Sequence, residues 1–177
     1  MHGLGNDFIV IDAREHAVSF DDAAARRIAN RHTGVGCDQF IVLEPSQNSD
    51  ADVFMRIRNN DGGEVGACGN ATRCIADQLM KELKSDRTVI ETLAGNLEAW
   101  RGEGGLVTVD MGPVWMNWRD IPLAHEMDTL HVDLSIEGLS DPACVNVGNP
   151  HVSFFVDDVD AVDLDKIGPI VEHHDLF

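Results

Sequence analysis

Positive charge is scarce in this sequence. Thirteen lysines and arginines stand against 31 aspartates and glutamates, a formal net charge of −18 over 177 residues. A surface that acidic repels phosphate backbones and anionic lipid, which disfavours both, so neither nucleic acid nor membrane is expected as a partner. It does not select a cationic substrate, because a diffuse acidic surface serves solubility equally well. No apolar run reaches the roughly 18 residues that mark a membrane span. The N-terminus lacks the basic, apolar and small-residue succession of a secretion signal. The four cysteines, Cys37, Cys68, Cys74 and Cys144, form no Cys-x-x-Cys pair. That argues against a disulfide framework or a zinc site and for reduced thiols, so the expected location is cytoplasmic. Internal repeats and low-complexity linkers are absent too. What is present, 44% hydrophobic and 25% charged residues, is ordinary globular protein, long enough for one core and too short for two large domains.

Periodicity places the elements. Phe8–Asp12 and Gln39–Glu44 read as apolar strands, and Asp21–His32 as a helix with Ser19 or Asp21 as N-cap. Val53–Asn59 alternates Val53, Met55 and Ile57 with Phe54, Arg56 and Arg58, a half-buried strand. Over Asn70–Leu83, Ile75, Leu79 and Leu83 recur every four residues with Cys74, Ala76 and Met80 beside them, which predicts a central apolar helix. Thr88–Leu93 and Leu97–Arg101 flank Ala-Gly-Asn, a hairpin signal. Further strands are expected at Leu106–Met111, Leu130–Glu137, Ala143–Val147 and Val152–Asp157. A closing helix is expected at Asp163–His174, with Pro169 a blemish near its start. Many strands around one apolar helix predict an α+β fold with a curled, barrel-like, mostly antiparallel sheet.

The most informative stretch is 59–74, Asn-Asn-Asp-Gly-Gly-Glu-Val-Gly-Ala-Cys-Gly-Asn-Ala-Thr-Arg-Cys. It sets Cys68 between a glycine-rich turn and a helix start, where free amides and the positive end of the helix dipole favour thiolate over thiol. Gly69 and Asn70 let the backbone approach a ligand and grip a carboxylate. Cys74 lies six residues further along the same helix, about 9 Å away along its axis, and cannot face Cys68 across one carbon atom. It reads as helix core. Cys144 reads as strand packing, and Cys37, in a glycine turn, is not excluded by geometry. Asn6, Gln39 and Asn59 are amides on turns or strand ends that both donate and accept, which suits a zwitterionic amino acid. On the residues alone, an Asn beside Gly reads as turn chemistry. Asp61 and Glu64 read as turn residues that bond backbone. Asp157, Asp158 and Asp160 read as a solvated turn, because an EF-hand's glycine and glutamate are out of register.

The 59–74 stretch resembles the first catalytic-cysteine motif of the diaminopimelate epimerases. Met-His-Gly-Leu-Gly-Asn-Asp-Phe at 1–8, Arg-His-Thr-Gly-Val-Gly-Cys-Asp-Gln at 31–39 and Gly-Asn-Pro-His at 148–151 fit the same family in the same order. One departure is Ala71, where the family usually has glycine. The resemblance implies interconversion of LL- and meso-diaminopimelate for lysine and peptidoglycan precursors, by two thiols and without cofactor or metal. It implies that Cys68 is one catalytic acid/base. Asn6, Gln39, Asn59, Gly69, Asn70 and Asn149 would bind substrate, and His151 would tune the thiols. It also implies that residues 1–177 form the N-terminal domain of a two-domain fold. The second cysteine and a Glu-Arg pair would belong to a C-terminal domain beyond Phe177, and a short strand would precede Met1. The partners expected are then diaminopimelate and that second domain, with a homodimer left open.

Two other readings stand beside this one. A proline racemase or phenazine-type isomerase would share the fold, although the Asn-rich motifs disfavour it. A non-catalytic half-domain that binds amino acids or a protein is the alternative of a different class. For residues 1–177 alone, with one thiol of two, the expectation is an inactive fragment.

Overall fold

The structure, a computed structural model, describes residues 1–177. The chain forms two compact units, Met1–Met111 and Gly112–Phe177.

The first unit is organised around one helix. Its strands are β1 (His2–Gly3), β2 (Asn6–Asp12), β3 (Gln39–Glu44), β4 (Val53–Asn59), β5 (Glu64–Val65), β6 (Arg87–Thr92), β7 (Gly95–Arg101) and β8 (Val107–Val109). They form one sheet in the order β1-β2-β3-β4-β6-β7-β8, with β5 also on β4. Only β2–β3 and β4–β6 pair in parallel. The helices are α1 (Asp22–Ala29) and α2 (Gly69–Leu83). Helix α2 touches β1 at one end of the strand order and β8 at the other, so the sheet curls around it. This is the expected α+β arrangement.

Burial explains why α2 is central. Ala71, Thr72, Ile75, Ala76, Leu79 and Met80 are all buried. Each fully buried Ile or Leu contributes about 1.5–3 kcal/mol, which outweighs the few tenths that Ile or Thr costs in helix propensity. Leu83 departs from the expected stripe: it is exposed beside the left-handed cap Lys84 (φ 52°). Ala71 is wholly buried at the head of the helix, where its methyl joins the core.

Strand β3 is buried on both faces. Ile41 and Leu43 join the α2 core, whereas Phe40 and Val42 join a second cluster with Ala29 and Cys37. Phe20 meets Phe40 edge to face there, with ring centroids 5.0 Å apart. Helix α1 is capped by Asp21, whose carboxylate accepts from the Ala24 N–H at 2.6 Å. It stops at Ala29, three residues before the expected end at His32. Asn30 turns extended, and its Oδ1 accepts from the N–H groups of His32 and Thr33 at 2.8 and 2.9 Å. Such a side-chain turn competes with further helix. Gly34 then lies so close to α1 that a Cβ would stand 2.1 Å from the Arg27 carbonyl oxygen.

The second unit holds β9 (Ser135–Ile136), β10 (Leu139–Ser140), β11 (Ala143–Asn146), β12 (Pro150–Ser153) and α3 (Leu164–Glu172). Strands β9 and β10 form one antiparallel pair, β11 and β12 another. Ile121, Val132, Leu134, Cys144 and Ile167 sit in its core. The strand expected over Leu130–Glu137 is only its last part. Asp128 accepts from the Leu130 N–H, and Leu134 N–H donates back to the Val132 carbonyl at 2.7 Å, so this stretch turns instead of extending. The strand expected from Val152 begins earlier, at Pro150, and ends at Ser153, leaving Phe155 exposed. Asp163 caps α3 by accepting from the Lys166 N–H, and Pro169 is accommodated inside the helix.

Candidate active site

Cys68 is the N-cap of α2, with extended backbone (φ −148°, ψ 111°). Its Sγ accepts from the Ala71 N–H at 3.5 Å, and its carbonyl accepts from both the N–H and the hydroxyl of Thr72. This position normally carries Ser, Thr, Asp or Asn, which are better acceptors than a thiol. A cysteine here therefore points to reactivity more than to capping. The first amides of a helix have no intrahelical acceptor. With Ala71 and Thr72 bonded to Cys68, the amides of Gly69 and Asn70 are left to meet an anion at the dipole's positive end.

Three amide side chains converge on the thiol. Asn6 opens β2, Gln39 opens β3 and Asn59 closes β4, and Gln39 lies opposite Asn59 in the ladder. Asn6 Nδ2 lies 3.9 Å from Cys68 Sγ and 3.5 Å from Gln39 Oε1. Gln39 Nε2 donates onward to Asn59 Oδ1 at 3.1 Å. Four of the residues expected at the site thus form one continuous hydrogen-bonded row. Cys68 also lines a cavity of about 500 Å³, together with Gly69, Asn70, Arg73, Val107–Val109 and Met111. Asn70 Oδ1 accepts from Arg73 Nη2, which turns the Asn70 amide nitrogen away from that bond. Asn149 and His151 belong to the second unit, where Asn149 Oδ1 and His151 Nε2 are 3.1 Å apart across the start of β12.

The other thiols are set apart by burial. Cys37 and Cys144 are buried, and desolvation raises the pKa of each. Cys74 is half-buried and packs against the edge of the α2 core, close to the expected helix-core reading. It lies on the flank of α2, off the 71-72-75-76 face, and its Sγ donates to the His2 carbonyl at 3.3 Å. Desolvation raises its pKa as well. Asp61 behaves as expected of a turn residue, accepting from the Gly63 N–H at 2.7 Å, whereas Glu64 departs from expectation: it lies in β5, and its carboxylate pairs with Arg56 across the strands instead of bonding backbone. Asp158, like Asp61, accepts from a backbone N–H, that of Asp160.

Sequence reasoning missed Arg73 and the β8 wall. Arg73 was findable, since it follows Asn70 by three residues and so shares its helix face. The wall, Val107–Val109 with Met111, falls within the strand expected at Leu106–Met111, but nothing local places that strand beside Cys68.

Residues 1–116 match the family model for diaminopimelate epimerase. The chain belongs to the diaminopimelate epimerase family. The diaminopimelate epimerase of Rhodospirillum centenum is 54% identical over 177 residues, covering all of this chain and 61% of that protein. That of Zymomonas mobilis is 50% identical over the same length, 63% of that protein. The chain therefore spans a little under two thirds of the length of these epimerases. A crystal structure of a hydroxyproline epimerase from Agrobacterium vitis aligns with a TM-score of 0.58 at 17% identity, over 94% of this chain and 51% of that one. At that identity the likeness is one of fold.

Proposed function

We propose that this chain carries the Cys68 half of a diaminopimelate epimerase active site. The reading rests above all on the placement of Cys68 at a helix N-terminus, in hydrogen-bonding reach of the Asn6–Gln39–Asn59 row. The substrate would be LL- or meso-2,6-diaminopimelate, on the route to lysine and peptidoglycan precursors.

Epimerisation takes a proton from Cα on one face and returns one on the other. The Cys68 thiolate serves one face as base in one direction, and as its thiol form donates in the reverse direction. Charge that moves onto the substrate carboxylate as the Cα–H bond breaks is met by the Gly69 and Asn70 amides, which are already aligned. Asn6, Gln39 and Asn59 offer donors and acceptors to the substrate's ammonium and carboxylate groups. The second thiol would come from the part of the relatives' length that this chain does not span, and residues 1–177 would serve as the N-terminal domain. Asn149 and His151 are assigned substrate binding and tuning of the thiols. The chemistry requires neither pyridoxal phosphate nor metal, because the thiols do the proton transfer.

The test is the full-length gene product with LL-diaminopimelate in deuterated water. Inversion with deuterium at Cα is expected, and Cys68→Ala abolishes both. Undiminished inversion by Cys68→Ala would falsify the assignment.

A further inference from the structure

Residues around the amide row form a second construction, which the chemistry above does not use. Asp7 and Asp38 exchange bonds across the start of the β2–β3 pair: Asp7 N–H donates to Asp38 Oδ2 at 3.0 Å, and Asp38 N–H to Asp7 Oδ1 at 2.9 Å. Arg31 grips both carboxylates, with Nη1 and Nη2 on Asp7 at 3.0 and 2.7 Å and Nη2 on Asp38 at 2.8 Å. The loop is built against this arginine. Gly36 has φ +85°, and a Cβ there would stand 2.9 Å from both Cα and Cγ of Arg31.

We propose that Arg31, Asp7 and Asp38 are positioning residues whose clamp sets the spacing between Asn6 and Gln39, and through them the substrate. Asn6 directly precedes Asp7, and Gln39 directly follows Asp38. The parallel ladder registers from Phe8 and Gln39 onward, and past its end a single backbone bond, from the Asp38 N–H to the Asp7 carbonyl at 3.1 Å, reaches across, one residue short of Asn6. The carboxylates reinforce that one bond, and the bidentate fork of Arg31 joins two like charges that would otherwise repel. Stability alone gives a weak reason for the cluster. The Arg31 side chain is 53% exposed, and exposed ion pairs contribute little to folding. Geometry at the amide row gives a better one, since misplacing a binding group by about 1 Å can cost a reaction on the order of 100-fold.

This inference rests on the epimerase reading for its kinetic consequence but not for its structural one. In the full-length protein, Arg31→Gln and Arg31→Lys are compared with wild type by three measurements: side-chain amide resonances of Asn6 and Gln39, KM against kcat, and the unfolding midpoint. The remote Gln78 amide serves as control. Arg31→Gln is expected to shift the Asn6 and Gln39 resonances but not Gln78, and to raise KM about tenfold or more with a smaller change in kcat. The midpoint should move by only a few degrees. Arg31→Lys, which keeps the charge but loses the fork, should fall between; if Arg31→Gln does not fold, it carries the same readouts alone. Unmoved amide resonances with unchanged KM in a folded variant overturn the clamp. Shifted resonances in a protein inactive on diaminopimelate leave the clamp standing and remove the epimerase reading instead.

Discussion

Gln39 and Asn59 face one another across the β3–β4 ladder, and Gln39 Nε2 donates to Asn59 Oδ1 at 3.1 Å. The bond links two strand ends that meet at the thiol's side of the sheet. Because each amide has spare donors and acceptors, the pair can stay bonded while both also serve a ligand.

Gln39→Leu breaks this row in the middle and leaves Asn6 and Asn59 without their shared partner. Losing such a bond typically costs about 1–3 kcal/mol, so kcat/KM for diaminopimelate should fall roughly 5- to 150-fold. Steady-state kinetics on the full-length enzyme checks this, and a fall smaller than twofold removes Gln39 from the binding site.

Among the four thiols, Cys68 should alkylate first. It alone combines partial exposure with a helix N-terminus, while burial raises the pKa of Cys37, Cys74 and Cys144. Limited iodoacetamide at mildly alkaline pH with peptide mapping gives the order. Labelling of Cys37 or Cys144 ahead of Cys68 in folded protein contradicts it.

Leu79→Ala should destabilise the protein by about 2–5 kcal/mol, because Leu79 is 1% exposed in the core of α2. Urea unfolding followed by far-UV circular dichroism gives the value. A loss below about 1 kcal/mol would mean that the helix is less central than its packing indicates.

Epimerisation should survive exhaustive dialysis against chelator and treatment with a carbonyl reagent that captures pyridoxal phosphate. The reason is the thiol acid/base chemistry assigned to Cys68. Activity lost to chelator and regained with a divalent ion is the contrary result.

A polypeptide of residues 1–177 alone should fold but not invert diaminopimelate, since it offers one thiol to one face of Cα. Exchange of the α-proton in deuterated water should be feeble at most, and adding the remaining domain in trans should raise it. Robust inversion by the fragment would refute the two-thiol scheme.

Much of the first unit was legible in the sequence. Strands β3 and β4 match expectation residue for residue: a short run rich in aromatic and β-branched residues favours a strand over a helix in β3, and Val53, Met55 and Ile57 recur at every second position in β4. Helix α2 was legible from Ile75 and Leu79. The end of α1 was not, since it depends on one Asn30 side chain competing with the helix. Nor was Leu130–Leu134, where side-chain and short-range backbone bonds override the alternation of Leu130, Val132 and Leu134 with polar residues. At the site, the motifs marked each residue singly, but the joining of Asn6 to Gln39 depends on a parallel pairing of β2 with β3. No local pattern encodes a contact 33 residues apart.

Strand β3 belongs to two clusters at once, with Ile41 and Leu43 on one and Phe40 and Val42 on the other. An opening of the strand beyond its first residue must therefore part both. Hydrogen exchange along β3 should then report an opening free energy close to that of whole-unit unfolding. The floor beneath the amide row is accordingly expected to exchange most slowly in the unit, with motion that admits or releases a ligand falling to the loops and helix ends around it.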